Sequence, residues 1–152
     1  MLKALQSFFN VAPAAEQTKQ YHAEGLSDEA FLSLILMTEI SLADGVLSNE
    51  EREYLLADLK NEYQLEGSAA QSAVDKAVEA VKEAASLHDF TAPLKALEYS
   101  EKVQLLESLW AVAYTDNELD PHEEAMLRKL ADLLYVSHAD YIKAKLSVTG
   151  PE

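Results

Sequence analysis

Two acidic segments of similar sequence contain the residues that are best suited to chemistry in this protein. The first is ADGVLSNEE at residues 43–51, and the second is TDNELDPHEE at residues 115–124. We call them the first and second acidic corner. Each has an aspartate, then a leucine, then a glutamate at the same spacing. Carboxylates in such a pattern can bind a cation, or they can cap the backbone N–H groups of a following helix.

The acidic corners match only the second half of an EF-hand calcium loop. The upstream ligand positions hold Ile40 and Leu42 before the first corner, and Val112 and Tyr114 before the second. None of these side chains is a carboxylate, so the corners are not EF-hands. Each aspartate is instead predicted at the end of a helix. The alternative in which the aspartates bond turn N–H groups and the glutamates complete capping boxes stays open.

Glu39 favours the cation hypothesis over the capping hypothesis. It is the sole charged residue between Glu29 and Asp44, and it shares a helical face with apolar residues such as Leu36. A buried ionised carboxylate is costly unless a positive group pairs with it. No lysine or arginine is close in sequence, although a distant one could fold back. A cation between Glu39, Asp44 and a neighbouring corner carboxylate would stabilise all three, and an edge residue that reaches solvent is the alternative.

Helices are the elements that must position these residues. Apolar residues recur at helical spacing, no segment alternates at period two, and cap residues precede several of the apolar runs. The sequence therefore predicts an all-α fold of about seven or eight helices, including two related helix-turn-helix units. We predict helices at residues 2–12, 28–44, 49–63, 69–86, near Pro93, and at 100–116, 121–135 and 137–146.

The caps give these boundaries a local cause. Ser27 or Asp28 precedes the second helix, Ser48 begins an S-x-x-E capping box, and Asp120 precedes a proline at the first helical position. Ser137 caps the last helix. We assign residues 1–26 to an N-terminal helix and linker, and residues 27–152 to the helical domain. We expect the N-terminal helix to pack on that domain rather than to anchor a membrane.

Composition excludes several classes of function. The formal net charge is −15 over 152 residues, which disfavours nucleic acids and anionic membranes and favours cations or a basic protein partner. The absence of cysteine excludes disulfides and thiolate metal sites. No run approaches the ~20 apolar residues of a membrane span, and polar residues interrupt the start of the chain, so we expect a cytoplasmic protein. We see no catalytic triad, phosphate loop or HExxH motif, and we interpret His122 and His138 as surface residues at helix starts.

At the doubled corner the sequence resembles the tellurite-resistance TerB-like family, whose mark is a repeated ADG-x-aliphatic-x-x-x-E corner between helices. The resemblance covers roughly residues 27–147. It implies a pseudo-twofold arrangement of the halves and a divalent-metal site at the corners, with Ca²⁺ or Mg²⁺ favoured by the oxygen ligands. Carried onto this chain, the metal ligands are Glu39, Asp44, Glu51, Asp116 and Glu123.

The second corner departs from the family pattern. Asn117 replaces the usual glycine, although asparagine also tolerates a left-handed backbone, and Ala111 stands where Glu39 stands in the first copy. The second corner is therefore expected to bind more weakly or to add ligands to one shared site. The resemblance implies a non-enzymatic sensing or docking module in a stress or metal-resistance system. The alternative is a helical protein–protein interaction module in which the acidic residues are only caps, and a metal-dependent hydrolase ranks below both.

Overall fold

Seven helices and no strand make up the described part of the chain, which in this computed structural model comprises residues 2–11, 23–42, 47–83, 94, 97–114 and 120–150. The prediction of an all-α fold is confirmed. The helices are α1 (Leu2–Val11), α2 (Asp28–Ser41), α3 (Asn49–Tyr63), α4 (Gly67–Glu83), α5 (Tyr99–Ala113), α6 (Pro121–Leu133) and α7 (His138–Thr149).

Helix α2 lies at the centre of the fold. Every residue from Ala30 to Ser41 is buried, because the helix is apolar on all its sides. A helix of that kind is stable in water only when neighbours surround it. Helices α1, α3, α4 and α6 all pack on it. The end of α2 is therefore buried, and it leads into the first acidic corner.

The two helices that lead into the acidic corners are shorter than the sequence predicts. We expected them to reach Asp44 and Asp116, but α2 ends at Ser41 and α5 ends at Ala113. The residue after each helix has a ψ angle of 5° or 18°, which is outside the helical region. The prediction that each aspartate ends a continuous helix was therefore wrong. The two aspartates themselves lie outside the described residues.

Helix boundaries repeat at equivalent positions of the two corners. Helix α2 ends at Ser41 and α3 begins at Asn49, while α5 ends at Ala113 and α6 begins at Pro121. The intervals between the helices are therefore equal. This agreement supports the interpretation of two related helix-turn-helix units, since the corners differ in sequence at most positions.

The boundaries of α4 differ slightly from the prediction. We expected a helix at residues 69–86 after a break at Gly67, but Gly67 is the first residue of α4, which ends at Glu83. The φ angle of Gly67 is +68°, a conformation that glycine adopts without the steric cost of a side chain. The short helix expected near Pro93 lies outside the described residues, apart from the buried Leu94.

Helix α1 packs on the rest of the fold as part of the core. Leu2 and Leu5 are fully buried, and the helix contacts α2, α3 and α5. The backbone N–H of Lys3 donates a hydrogen bond to Glu62 at 3.2 Å, and the hydroxyl of Tyr63 donates one to Gln6 at 2.6 Å. The N-terminal helix is thus attached by both apolar burial and specific polar contacts.

Candidate functional site

Three helix ends meet around one polar cavity of about 230 Å³, which we call the corner cavity. The end of α2, the start of α3 and the first turns of α6 form its walls. One helix thus comes from each side of the first acidic corner, and the third follows the second corner. The residues that line the cavity are Ile40, Ser41, Ser48, Glu51, His122, Ala125, Met126 and Lys129.

The start of α3 is a complete capping box. The Oγ of Ser48 accepts a hydrogen bond from the Glu51 N–H at 3.1 Å, and the Oε1 of Glu51 accepts one from the Ser48 N–H at 3.1 Å. The S-x-x-E spacing predicted this arrangement, and the prediction is confirmed. Glu51 therefore has a structural role at a helix start, and it also lines the corner cavity.

The start of α6 is capped differently. The Oδ1 of Asp120 accepts a hydrogen bond from the His122 N–H at 2.9 Å, with Pro121 at the first helical position. The Glu123 carboxylate lies beside Tyr54 of α3. Burial raises the pKa of the Tyr54 hydroxyl above its usual range, and the charges of Asp58 and Glu123 and a hydrogen bond to Glu123 raise it further.

Two acidic side chains lie on the same face of α3 as Tyr54. Tyr54, Asp58 and Glu62 are spaced four residues apart and so lie on the same helical face. Burial raises the pKa of Asp58 from 3.8 to about 6, and the charges of Glu62 and Glu123 act in the same direction. Within the described residues, no three histidine, aspartate or glutamate side chains are arranged to hold a metal ion.

Glu39 is buried in α2 with only 4% of its surface exposed. The next residue, Ile40, offers its carbonyl oxygen to the Nζ of Lys129 at 3.3 Å. A lysine that is distant in sequence has therefore folded back to the end of α2. Its ammonium group brings a positive charge to the negative end of the α2 dipole and into the corner cavity.

Three of the five predicted metal ligands lie in the described part of the chain, and they do not form one metal-binding cluster there. Glu51 lines the corner cavity, Glu39 lies in the buried helix beside it, and Glu123 lies near Tyr54. Asp44 and Asp116 lie outside the described residues, so their part in the site stays a prediction.

Three polar residues of the corner cavity were not predicted as site residues. His122, which we placed at the surface, is half-buried, with its ring centroid 5.1 Å from that of Tyr54. Ser41 is buried at the end of α2, where one hydroxyl among apolar residues gave no signal of its own. Lys129 stands apart from the corners in sequence, and only the packing of α6 on α2 brings it near.

Comparison with known protein families gives a match. The family model described as Tellurite resistance protein TerB matches residues 29–146, which span α2 to α7 and leave α1 outside. No curated protein and no solved structure matches the chain. In the described part of the chain, no helix has the length and apolar character that a membrane crossing requires. The match extends over more than half of the sequence and includes both acidic corners, and on that ground the chain belongs to the TerB family.

Proposed function

We propose that this TerB family protein is a non-enzymatic module that binds a divalent cation at the corner cavity and uses that binding for sensing or docking. The observation that carries the proposal is the convergence of three helix ends on a polar cavity that Glu51 lines. Glu39, Asp44, Asp116 and Glu123 would add negative charge around it. These oxygen ligands, taken alone, suit Ca²⁺ or Mg²⁺.

Electrostatics favours a positive ligand at this place. The formal net charge of −15 raises the local concentration of cations around the whole protein. The end of α2 adds the partial negative charge of its last carbonyl groups. The chain itself places the ammonium group of Lys129 against one of those carbonyls. These carbonyl groups would attract a metal ion for the same reason, whereas the ammonium group itself would repel it.

Unfolding in the presence of ions tests the proposal. A ligand that binds only the native state stabilises it by RT ln(1 + [L]/Kd), which is about 2.7 kcal/mol at a hundredfold excess over Kd. We expect millimolar Ca²⁺, Mg²⁺ or Mn²⁺ to raise the unfolding midpoint above that in sodium at matched ionic strength. Midpoints that equal the sodium control for all three ions would remove the cation site.

Glu51→Gln is a sharp variant for this experiment, because glutamine can also complete a capping box. The substitution should therefore keep the α3 cap and reduce the stabilisation by ions. Glu101→Gln is the matched control. Glu101 accepts a hydrogen bond from the Glu98 N–H at 3.2 Å in the capping box of α5, and it does not line the corner cavity. An equal response of both variants would indicate general charge screening instead of a site.

A helical protein–protein interaction module is the second candidate. The capping box of Ser48 and Glu51 and the Asp120 cap favour it, because they give acidic corner residues a structural role that needs no ion. In that case the module would engage a protein partner through its surface, and the acidic corners would only set the helix directions. An absence of any ion-specific stabilisation selects this candidate.

A further inference from the structure

The hydroxyl groups of α2 differ in how they are bonded. Ser33 Oγ donates to the Glu29 carbonyl at 2.9 Å, and Thr38 Oγ1 donates to the Leu34 carbonyl at 2.7 Å, each one turn back along the helix. Ser41 has 1% of its surface exposed, and its Oγ has no hydrogen-bond partner among the described residues. Buried hydroxyls are normally bonded, so this one is open to a ligand in the cavity that it lines.

His122 presents a second polar atom of this kind. Its backbone is fixed by the Asp120 cap at 2.9 Å, and its ring packs against Tyr54 at 5.1 Å. The Nε2 atom is buried and has no hydrogen-bond partner within the described part of the chain. A neutral imidazole can offer this nitrogen as a lone-pair donor to a metal ion.

We propose that the corner cavity binds a first-row transition ion such as Zn²⁺ or Ni²⁺, with His122 Nε2 as its nitrogen ligand and Ser41 Oγ and Glu51 as oxygen ligands. The inference rests on the proposed cation site and deepens it. Imidazole suits zinc and nickel, whereas Ca²⁺ and Mg²⁺ take oxygen ligands. One histidine and one carboxylate would thus bind the ion, and the Ser41 hydroxyl would be the third protein ligand.

Substitution of Lys129 distinguishes a cation site from an anion site by the direction in which the binding affinity changes. Its ammonium group lies in the same cavity, on the Ile40 carbonyl, and it repels a metal ion. Lys129→Gln therefore tightens the binding of a cation. An anionic ligand held by the same lysine would be weakened by the same substitution. The direction of the change thus distinguishes a metal site from a site for a small anion.

Calorimetric titration of the full chain, stripped of metal by a chelator, measures these effects with Zn²⁺, Ni²⁺ and Ca²⁺. His122→Gln should weaken Zn²⁺ binding by about tenfold or more, because even the loss of a group that only orients a metal ligand costs about that much. His138→Gln is the matched control, because His138 also lies at a helix start but is exposed and outside the cavity. Lys129→Gln should tighten Zn²⁺ binding by about fivefold or more.

Nitrogen NMR of the histidine rings in the unmodified protein gives a readout that does not depend on the folding of a variant. Zn²⁺ should shift the Nε2 resonance of His122 and leave that of His138 unchanged at equimolar metal. The inference is overturned if Zn²⁺ leaves the His122 resonances unchanged. It is also overturned if His122→Gln and His138→Gln bind Zn²⁺ equally well, or if Lys129→Gln binds Zn²⁺ more weakly than the unmodified protein. Saturable Ca²⁺ binding that depends on Glu51 and not on His122 would also overturn the inference, but it would support the proposed function. If no divalent ion binds, both the inference and the proposed function are wrong.

Discussion

Helix caps are the features of single residues that the sequence determines most directly. Ser48 and Asp120 each accept an N–H group in the first turn of a helix, at 3.1 Å and 2.9 Å. Replacing either with alanine should lower the free energy of unfolding by about 0.5–2 kcal/mol, because one N–H group loses its partner. Urea denaturation measures the loss. Ser72→Ala, at an exposed site within α4, is the control, and midpoints of the cap variants that equal it would show that these are not caps.

Asp58 predicts a pH dependence at the same scale. Its pKa is raised from 3.8 to about 6 by burial and by the charges of Glu62 and Glu123, so the folded protein binds this proton more tightly than the unfolded chain. The ionised form therefore destabilises the fold above pH 6, and the cost disappears as pH falls toward 3.8. Asp58→Asn should raise the free energy of unfolding by about 1–2 kcal/mol near neutral pH and by little in acid.

Urea denaturation at several pH values between about 4 and 8 checks this sign. Asp132→Asn, at an exposed position on α6, is the control for a general change in net charge. A stability difference between Asp58→Asn and the unmodified protein that stays constant across the range would contradict the account. A gain that grows in acid would contradict it more strongly, since it has the opposite sign.

At the scale of elements, the sequence predicts helix starts better than helix ends. Ser27, Ser48, Asp120 and Ser137 act within one turn of their own position, so local spacing is enough to find them. The ends of α2 and α5 leave no such signal, because apolar residues continue past both of them. The sequence therefore placed both ends too far along the chain.

The candidate site shows the same limit. Glu51 was predicted because its role depends on a residue three positions away. Lys129 was not, because its contact with Ile40 joins residues 89 positions apart and depends on how α6 packs on α2. His122 and Ser41 could be recognised as cavity residues only from the positions of the helix ends in the fold. These residue types are common at helix ends, so only the cavity that they share marks them as candidate site residues.

Helix α1 offers a prediction at the scale of one element. It lies outside the family match, yet Leu5 is fully buried in the core. Leu5→Ala should lower the free energy of unfolding by about 2–4 kcal/mol, through lost burial and the cavity that it leaves. Urea denaturation measures this against Ser7→Ala, an exposed site on the same helix. Equal midpoints for the two variants would mean that α1 is not part of the cooperative fold.

At the scale of the whole molecule, the fold contains two similar helix pairs, α2–α3 and α5–α6. Helix α2 of the first pair is also the central helix of the fold. The matching helix boundaries follow from the repeat in the sequence, and Leu47 of the first corner packs against the core. Its counterpart Leu119 lies outside the described residues, so the superposition of both corners stays a prediction. The repeat indicated which segments matter, whereas the meeting of α2, α3 and α6 required the tertiary fold.

Paramagnetic NMR with Mn²⁺ tests most directly whether the corner cavity is a cation site. Small amounts of Mn²⁺ should broaden the amide signals of Ser41, Ser48, Glu51 and His122 first. The signals of Gln64 and Glu66 should persist, because they lie beyond the far end of α3, which starts at the cavity and is about 22 Å long at helical rise. Sodium at matched ionic strength gives the baseline. Broadening spread evenly over exposed acidic residues, or none at the corner cavity, would contradict the proposed site.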